Sequence, residues 1–169
     1  TLNLYGVLSP GTGSLVGSSS SNIIFGGSGA STTLPGIALN NLTLNRANGI
    51  SIGGDVSVNG ALSITNGRLT TNANKIILGP SGVLSEALGQ TILGNITTTR
   101  NVTATSGTET FGNIGSDITL NGVAPGSTTI FRKTGTTSSG NGHSSILRYF
   151  DITPTTNTGL NAGLVFHYE

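Results

Sequence analysis

Short β-branched segments recur along this chain at a fixed period, and that period sets what it can fold into. From residue 42 onward, apolar and polar positions alternate: Leu42-Thr43-Leu44, Ile50-Ser51-Ile52, Val56-Ser57-Val58 and Leu62-Ser63-Ile64. The segment centres fall at residues 43, 51, 57, 63, 69, 77 and 84, with spacings of 8, 6, 6, 6, 8 and 7. Three segments therefore take about twenty residues. Extended back through residues 22–25 and 2–5, the equivalent centres are 4, 24, 43, 63 and 84. Strict alternation buries one set of side chains and exposes the other.

Between the segments lie Asn48-Gly49, Gly53-Gly54, Asn59-Gly60, Asn66-Gly67 and Gly79-Pro80-Ser81-Gly82. Asn and Gly accept the positive φ of tight corners. A hairpin meander would use longer strands and one turn type. A three-sided coil of about twenty residues, stacked on the next at about 4.8 Å, accounts for both periods. The expected fold over residues 1–105 is a parallel β-solenoid of about five coils, right-handed by the general rule for parallel crossovers. Such a stack is about 24 Å tall.

Composition supports an ordered all-β chain and excludes several functions. Gly, Thr, Ser and Asn number 27, 26, 20 and 17 of 169 residues, and charged residues are only 8%. A flexible linker has similar composition but would not keep the alternation. Gly or Pro interrupts nearly every potential helix; the one helix-like stretch, Ser85-Glu86-Ala87-Leu88, stops at Gly89. The absence of Cys excludes disulfide scaffolds, zinc fingers, iron–sulfur sites and thiol nucleophiles. A net charge of +1 without a basic run argues against nucleic acid as a partner. No apolar run approaches the roughly 20 residues of a membrane-spanning helix.

After residue 105 the rhythm stops. Longer candidate strands follow at 117–121, 127–133, 145–153 and 159–168, and this region holds six of the chain's eight aromatic residues. Residues 106–169 are expected to form a small antiparallel β-sandwich that packs on the last coil and caps it. The chain starts beside a strand, has no initiating Met or signal peptide, and ends within a candidate strand. It is therefore expected to be a segment of a longer protein.

Three stretches carry a resemblance: Gly126-Ser127-Thr128-Thr129-Ile130-Phe131-Arg132-Lys133-Thr134-Gly135-Thr136, Ser145-Ile146-Leu147-Arg148-Tyr149-Phe150-Asp151-Ile152-Thr153-Pro154, and Gly159-Leu160-Asn161-Ala162-Gly163-Leu164-Val165-Phe166-His167-Tyr168-Glu169. Each resembles a segment of large secreted or cell-surface repeat proteins of Bacteroidota. There, such segments follow coils similar to residues 56–67. The resemblance covers residues 40–169, and residues 1–39 by rhythm only. It implies a large multidomain surface protein, cargo of the type IX secretion system, with secretion-system or surface proteins as partners. It implies no catalytic residue and no cofactor.

Candidate sites are few. A solenoid enzyme acting on polysaccharides needs clustered carboxylates. The acids are Asp55, Glu86, Glu109, Asp117, Asp151 and Glu169, and only Asp55 and Glu86 fall within the coils, 31 residues apart and on different faces. A non-catalytic chain is expected. Equivalent outward positions are read as Asn3, Thr43, Ser63 and Leu84, too irregular a row for an ice-binding hydroxyl ladder. His143 sits in a Gly- and Ser-rich loop as a solvated side chain, and His167 alternates with Phe166 and Tyr168. Arg148 shares a face with Ile146, Phe150 and Ile152, so it is expected to be buried against Asp117, Glu109 or backbone carbonyls at the junction. If the sandwich binds carbohydrate, the candidates are Arg148, Tyr149, His143 and Tyr168. Exposed rings forming a platform would support that reading. The leading expectation is a stiff, weakly charged spacer with an adhesive or matrix role, located outside the cell. Glycan contact and head-to-tail assembly are its possible interactions.

Overall fold

The computed structural model describes residues 1–9 and 11–168; Glu169, one of the six acids, lies outside them. These residues contain strands and turns and no helix, hence no helix long and apolar enough to cross a membrane. The first coil contributes β1 (Leu2–Leu4), and the second β2 (Asn22–Phe25), β3 (Thr32–Leu34) and β4 (Ile37–Leu39). The third contributes β5 (Asn41–Asn45), β6 (Ile50–Ile52) and β7 (Val56–Val58). The fourth has β8 (Ala61–Asn66) and β9 (Leu69–Leu78), and the fifth β10 (Val83–Glu86) and β11 (Ile92–Val102). In the fourth coil two sides merge into the single strand β9. Its start pairs with β6 and its end with β7, and the chain bends between them at Asn72, whose φ is +54°.

Every coil-to-coil pairing is parallel, so the chain is a β-solenoid. Inward residues stack in columns. On the first side Leu2, Ile23, Leu42, Leu62 and Leu84 form one column, and Leu4, Phe25, Leu44, Ile64 and Glu86 the next. On the third side Ile37, Val56, Ile76 and Ile96 stack, beside Leu39, Val58, Leu78 and Thr98. Close packing of these aliphatic columns is the main source of stability, each buried Leu or Ile contributing about 1.5–3 kcal/mol.

The register corrects one expectation. Residues 24, 43 and 63 are aligned as the period implies, but Asn3 rather than Leu4 opposes Ile24, and Ser85 rather than Leu84 opposes Ser63. The outward row is thus Asn3, Ile24, Thr43, Ser63 and Ser85, while Leu84 is buried. The cause is the corner Gly79-Pro80-Ser81-Gly82. Val58 aligns with Leu78, 20 residues on, but Leu62 aligns with Leu84, 22 residues on, so this corner holds two extra residues.

The corners are tied by side chains. The Asn40 and Asn41 amides both donate to Asn22 Oδ1 (3.3 and 2.8 Å), and Ala61 N–H donates to Asn41 Oδ1 (2.6 Å). Arg46 is fully buried at the corner after β5. Its guanidinium donates to Gly26 O (3.2 Å), Ala30 O (3.1 Å) and Leu4 O (2.7 Å), binding the first three coils together, and it lies 5.5 Å from the Phe25 ring centroid.

The remaining strands are β12 (Ser106–Glu109), β13 (Ser116–Asn121), β14 (Gly126–Thr134), β15 (Ser139–Gly140), β16 (His143–Ser144), β17 (Arg148–Pro154) and β18 (Gly163–Phe166). Five of them form the antiparallel layers of the sandwich, β12-β13-β18 and β14-β17 joined to β11, while β15 and β16 pair only with each other. β11 belongs to both parts. Its inner edge continues the parallel stack on β9, and its outer edge pairs antiparallel with β14 from Gly94–Thr134 to Val102–Gly126. The loop over residues 110–115 covers the other end of the last coil: Phe111 and Ile114 are fully buried, and Leu84 N–H donates to Gly112 O (2.8 Å). The fifth coil therefore presents no free β11 edge for head-to-tail stacking of a second copy.

Candidate functional site

Two inward columns end in charged residues. Glu86 closes the column Leu4–Phe25–Leu44–Ile64, and Arg132 continues the column Ile37–Val56–Ile76–Ile96 into the sandwich. They meet across the end of the core. Arg132 donates from Nη2 to Glu86 Oε1 (2.8 Å) and from Nη1 to Oε2 (2.9 Å), a bidentate pair in which Arg132 is 1% and Glu86 10% exposed. Glu86 Oε1 also accepts from Ile92 N–H (2.7 Å) and the Thr91 hydroxyl (3.1 Å), and Arg132 Nη1 donates to Ile114 O (3.1 Å). Burial alone would push the Glu86 carboxyl up. The Arg132 hydrogen bonds and charge, with the Ile92 and Thr91 donors, more than offset burial and hold it below its ordinary value.

This pair forms one wall of a cleft of about 390 Å³ between the last coil and the sandwich. The other walls come from β10 (Ser85), the 110–115 loop (Asn113), β13 (Asp117), β17 (Arg148) and the segment after β18 (His167). His167 Nε2 lies 2.9 Å from Asp117 Oδ2, and the His167 carbonyl accepts from Arg148 Nη1 (3.1 Å). Arg148 Nη2 donates to Thr91 Oγ1 (3.3 Å), so this guanidinium links the strand end to the solenoid.

The structure separates the other sequence candidates. Arg148 is half-buried and takes a backbone carbonyl as partner, one of the partners anticipated for it. Ile146 precedes β17 and is 57% exposed, which corrects its placement on the buried face. Tyr168 lines a separate, mainly apolar groove with Leu88, Ile146 and Leu147, which Arg148 also borders. Tyr149 lies on the outer face of β17, half-buried against Phe131 at 6.4 Å between centroids and tilted by 50°, so the two rings form no flat platform. His143 is exposed in the β15–β16 hairpin. Only Arg148 of the four reaches the cleft.

Sequence reasoning expected no carboxylate pair, yet Glu86 and Asp117 line the same cleft. Glu86 is not disposed to act as a glycosidase general acid. A glycosidase acid needs a raised pKa, whereas the Glu86 carboxyl is lowered and both its oxygens are engaged. Among the described residues no group of three or more His, Asp or Glu is placed to hold a metal ion. Arg46 and Arg132 were not singled out from sequence, although alternation marks both as inward: Leu42, Leu44 and Arg46 share parity, as do Thr128, Ile130 and Arg132.

The fold and this junction define a β-solenoid closed at one end by an antiparallel cap. Comparison with protein-family models, curated proteins and solved structures finds no match.

Proposed function

We propose that this chain is a non-catalytic structural segment of a large extracellular or cell-surface protein, serving as a stalk or adhesive spacer. The observation that carries the reading is the unbroken sheet β3-β6-β9-β11-β14-β17, which runs from the second coil through the solenoid's last edge into the sandwich. No linker separates the two parts, so load passes from coil to cap through paired backbone rather than a hinge. The weakly charged hydroxyl and amide surface is insensitive to ionic strength and suits contact with glycans or matrix. The resemblance to secreted repeat proteins of Bacteroidota supports the same role and export by the type IX system, with surface or secretion-system proteins as neighbours.

Two measurements test the reading. Antibodies to the folded chain should label intact native cells; labelling only after lysis refutes surface location. In single-molecule pulling, the last coil and the sandwich should unfold in one event. Release of the sandwich as an independent unit at low force refutes the continuous-spacer role.

A further inference from the structure

The cleft between β10 and the sandwich is lined by charged and polar side chains whose hydrogen-bonding groups are only partly used. We propose that it binds a neutral sugar unit, such as a terminal or branch residue of a glycan. The inference stands independently of the spacer reading, because a sugar can dock in this cleft whatever the chain's mechanical role.

Three observations carry it. First, the walls come from the solenoid's last coil, the 110–115 loop and both sandwich layers, so the site exists only in the assembled junction. Binding clefts favour such junctions, and about 390 Å³ falls in the usual range of roughly 300–1,000 Å³. Second, the fixed charges balance. Glu86 and Asp117 are opposed by Arg132 and Arg148, and the ordered contacts already pair Glu86 with Arg132. A charged ligand would leave one of its own or the protein's charges uncompensated, whereas a neutral one would not.

Third, the groups still free are mixed donors and acceptors. Among the described residues, Asp117 Oδ1, the Asn113 amide and the Ser85 and Thr110 hydroxyls make no hydrogen bond, although all four residues line the cleft. Asn113 is held facing solvent in a left-handed conformation, at φ +61°. A carboxylate oxygen, an amide and hydroxyls match sugar hydroxyls, each of which both donates and accepts. Glu86 and Arg132 act as the preorganised wall and not as ligand groups, because both Glu86 oxygens and both Arg132 Nη atoms are already engaged with each other, the backbone and Thr91.

The test is a titration of the whole ¹⁵N-labelled chain, followed by amide NMR. The probes are the methyl glycosides of glucose, galactose, mannose and fucose, N-acetylglucosamine, and the anions glucuronate and N-acetylneuraminate. At least one neutral probe should give saturable shifts at Ser85, Asn113, Asp117 and His167. Asp117→Ala should weaken that probe about tenfold or more, the loss of one charge-assisted hydrogen bond. Should Asp117→Ala fail to fold, Asn113→Ala, at an exposed loop position, gives the same readout. Thr129→Ala, on the outer face of β14, should leave binding unchanged. The proposal is overturned if no probe gives saturable shifts at the cleft, if the shifts map elsewhere, or if only the anionic sugars bind.

Discussion

Removing one partner of the Glu86–Arg132 pair is the sharpest perturbation available in this fold. In Glu86→Ala, Arg132, which is 1% exposed in the wild type, keeps one bond, to Ile114 O, and its Nε has no partner to begin with. The Ile92 N–H loses its acceptor as well, and the Thr91 hydroxyl keeps only the Ile92 carbonyl, at 3.5 Å. An uncompensated buried charge of this kind costs about 3–5 kcal/mol. The double variant Glu86→Leu with Arg132→Met removes both charges and keeps similar volume, so it should lie within about 1.5 kcal/mol of wild type. Urea unfolding followed by far-UV circular dichroism measures both, with an unchanged m-value confirming that the folded and unfolded states compare fairly.

The pH dependence follows from the same contacts. The folded Glu86 pKa lies below its unfolded value, so the folded state binds fewer protons there. The stabilisation is complete above the unfolded carboxyl pKa of about 4.3 and is lost as pH falls through the lower folded value. The wild type should thus lose stability below about pH 4.3 by a component that the double variant lacks. The reasoning is refuted if Glu86→Ala costs less than about 1 kcal/mol, or if the double variant is as unstable as the single one.

Other substitutions test the coil stack. Arg46→Leu leaves the Gly26 and Ala30 carbonyls without their guanidinium donor and should cost about 2–4 kcal/mol, with hydrogen exchange accelerating first in β1 and β2. At Gly67, φ is +89° and an added Cβ would run into the Arg46 carbonyl, so Gly67→Ala should lower stability by about 2 kcal/mol or more. Gly107 has a similar φ of +92° with open space around it, and Gly107→Ala should cost only about 1 kcal/mol. Equal thermal shifts for the two glycine variants would show that backbone clash is not what reserves the corner for glycine.

Much of the coil was legible in the residues. Leu42-Thr43-Leu44 and Leu62-Ser63-Ile64 align as their spacing implies, because alternation reports burial directly. The slip at the fifth coil was not legible: a corner of Gly, Pro, Ser and Gly accommodates two extra residues as easily as none, and both Leu84 and Ser85 suit an extended strand. The candidate site was the least legible part. Arg148 was recognised as an inward cation, but its contact with the His167 carbonyl depends on where β18 docks. Arg132 carried the same parity signal, shared with Thr128 and Ile130, and was not singled out.

The sequence by itself determined the coil. Its period, its buried columns and its Asn- and Gly-bearing corners all follow from φ preferences and side-chain alternation among near neighbours, which no distant contact needs to arrange. The tertiary structure alone decided how the solenoid ends. Pairing β14 on the outer edge of β11 closes the stack and brings Arg132 onto Glu86, 46 residues away in the chain. Hydrogen bonding between strand edges is nearly independent of side-chain identity, so the choice of edge is not written locally. It is fixed when the sandwich packs, and the same packing leaves the polar cleft beside the paired charges.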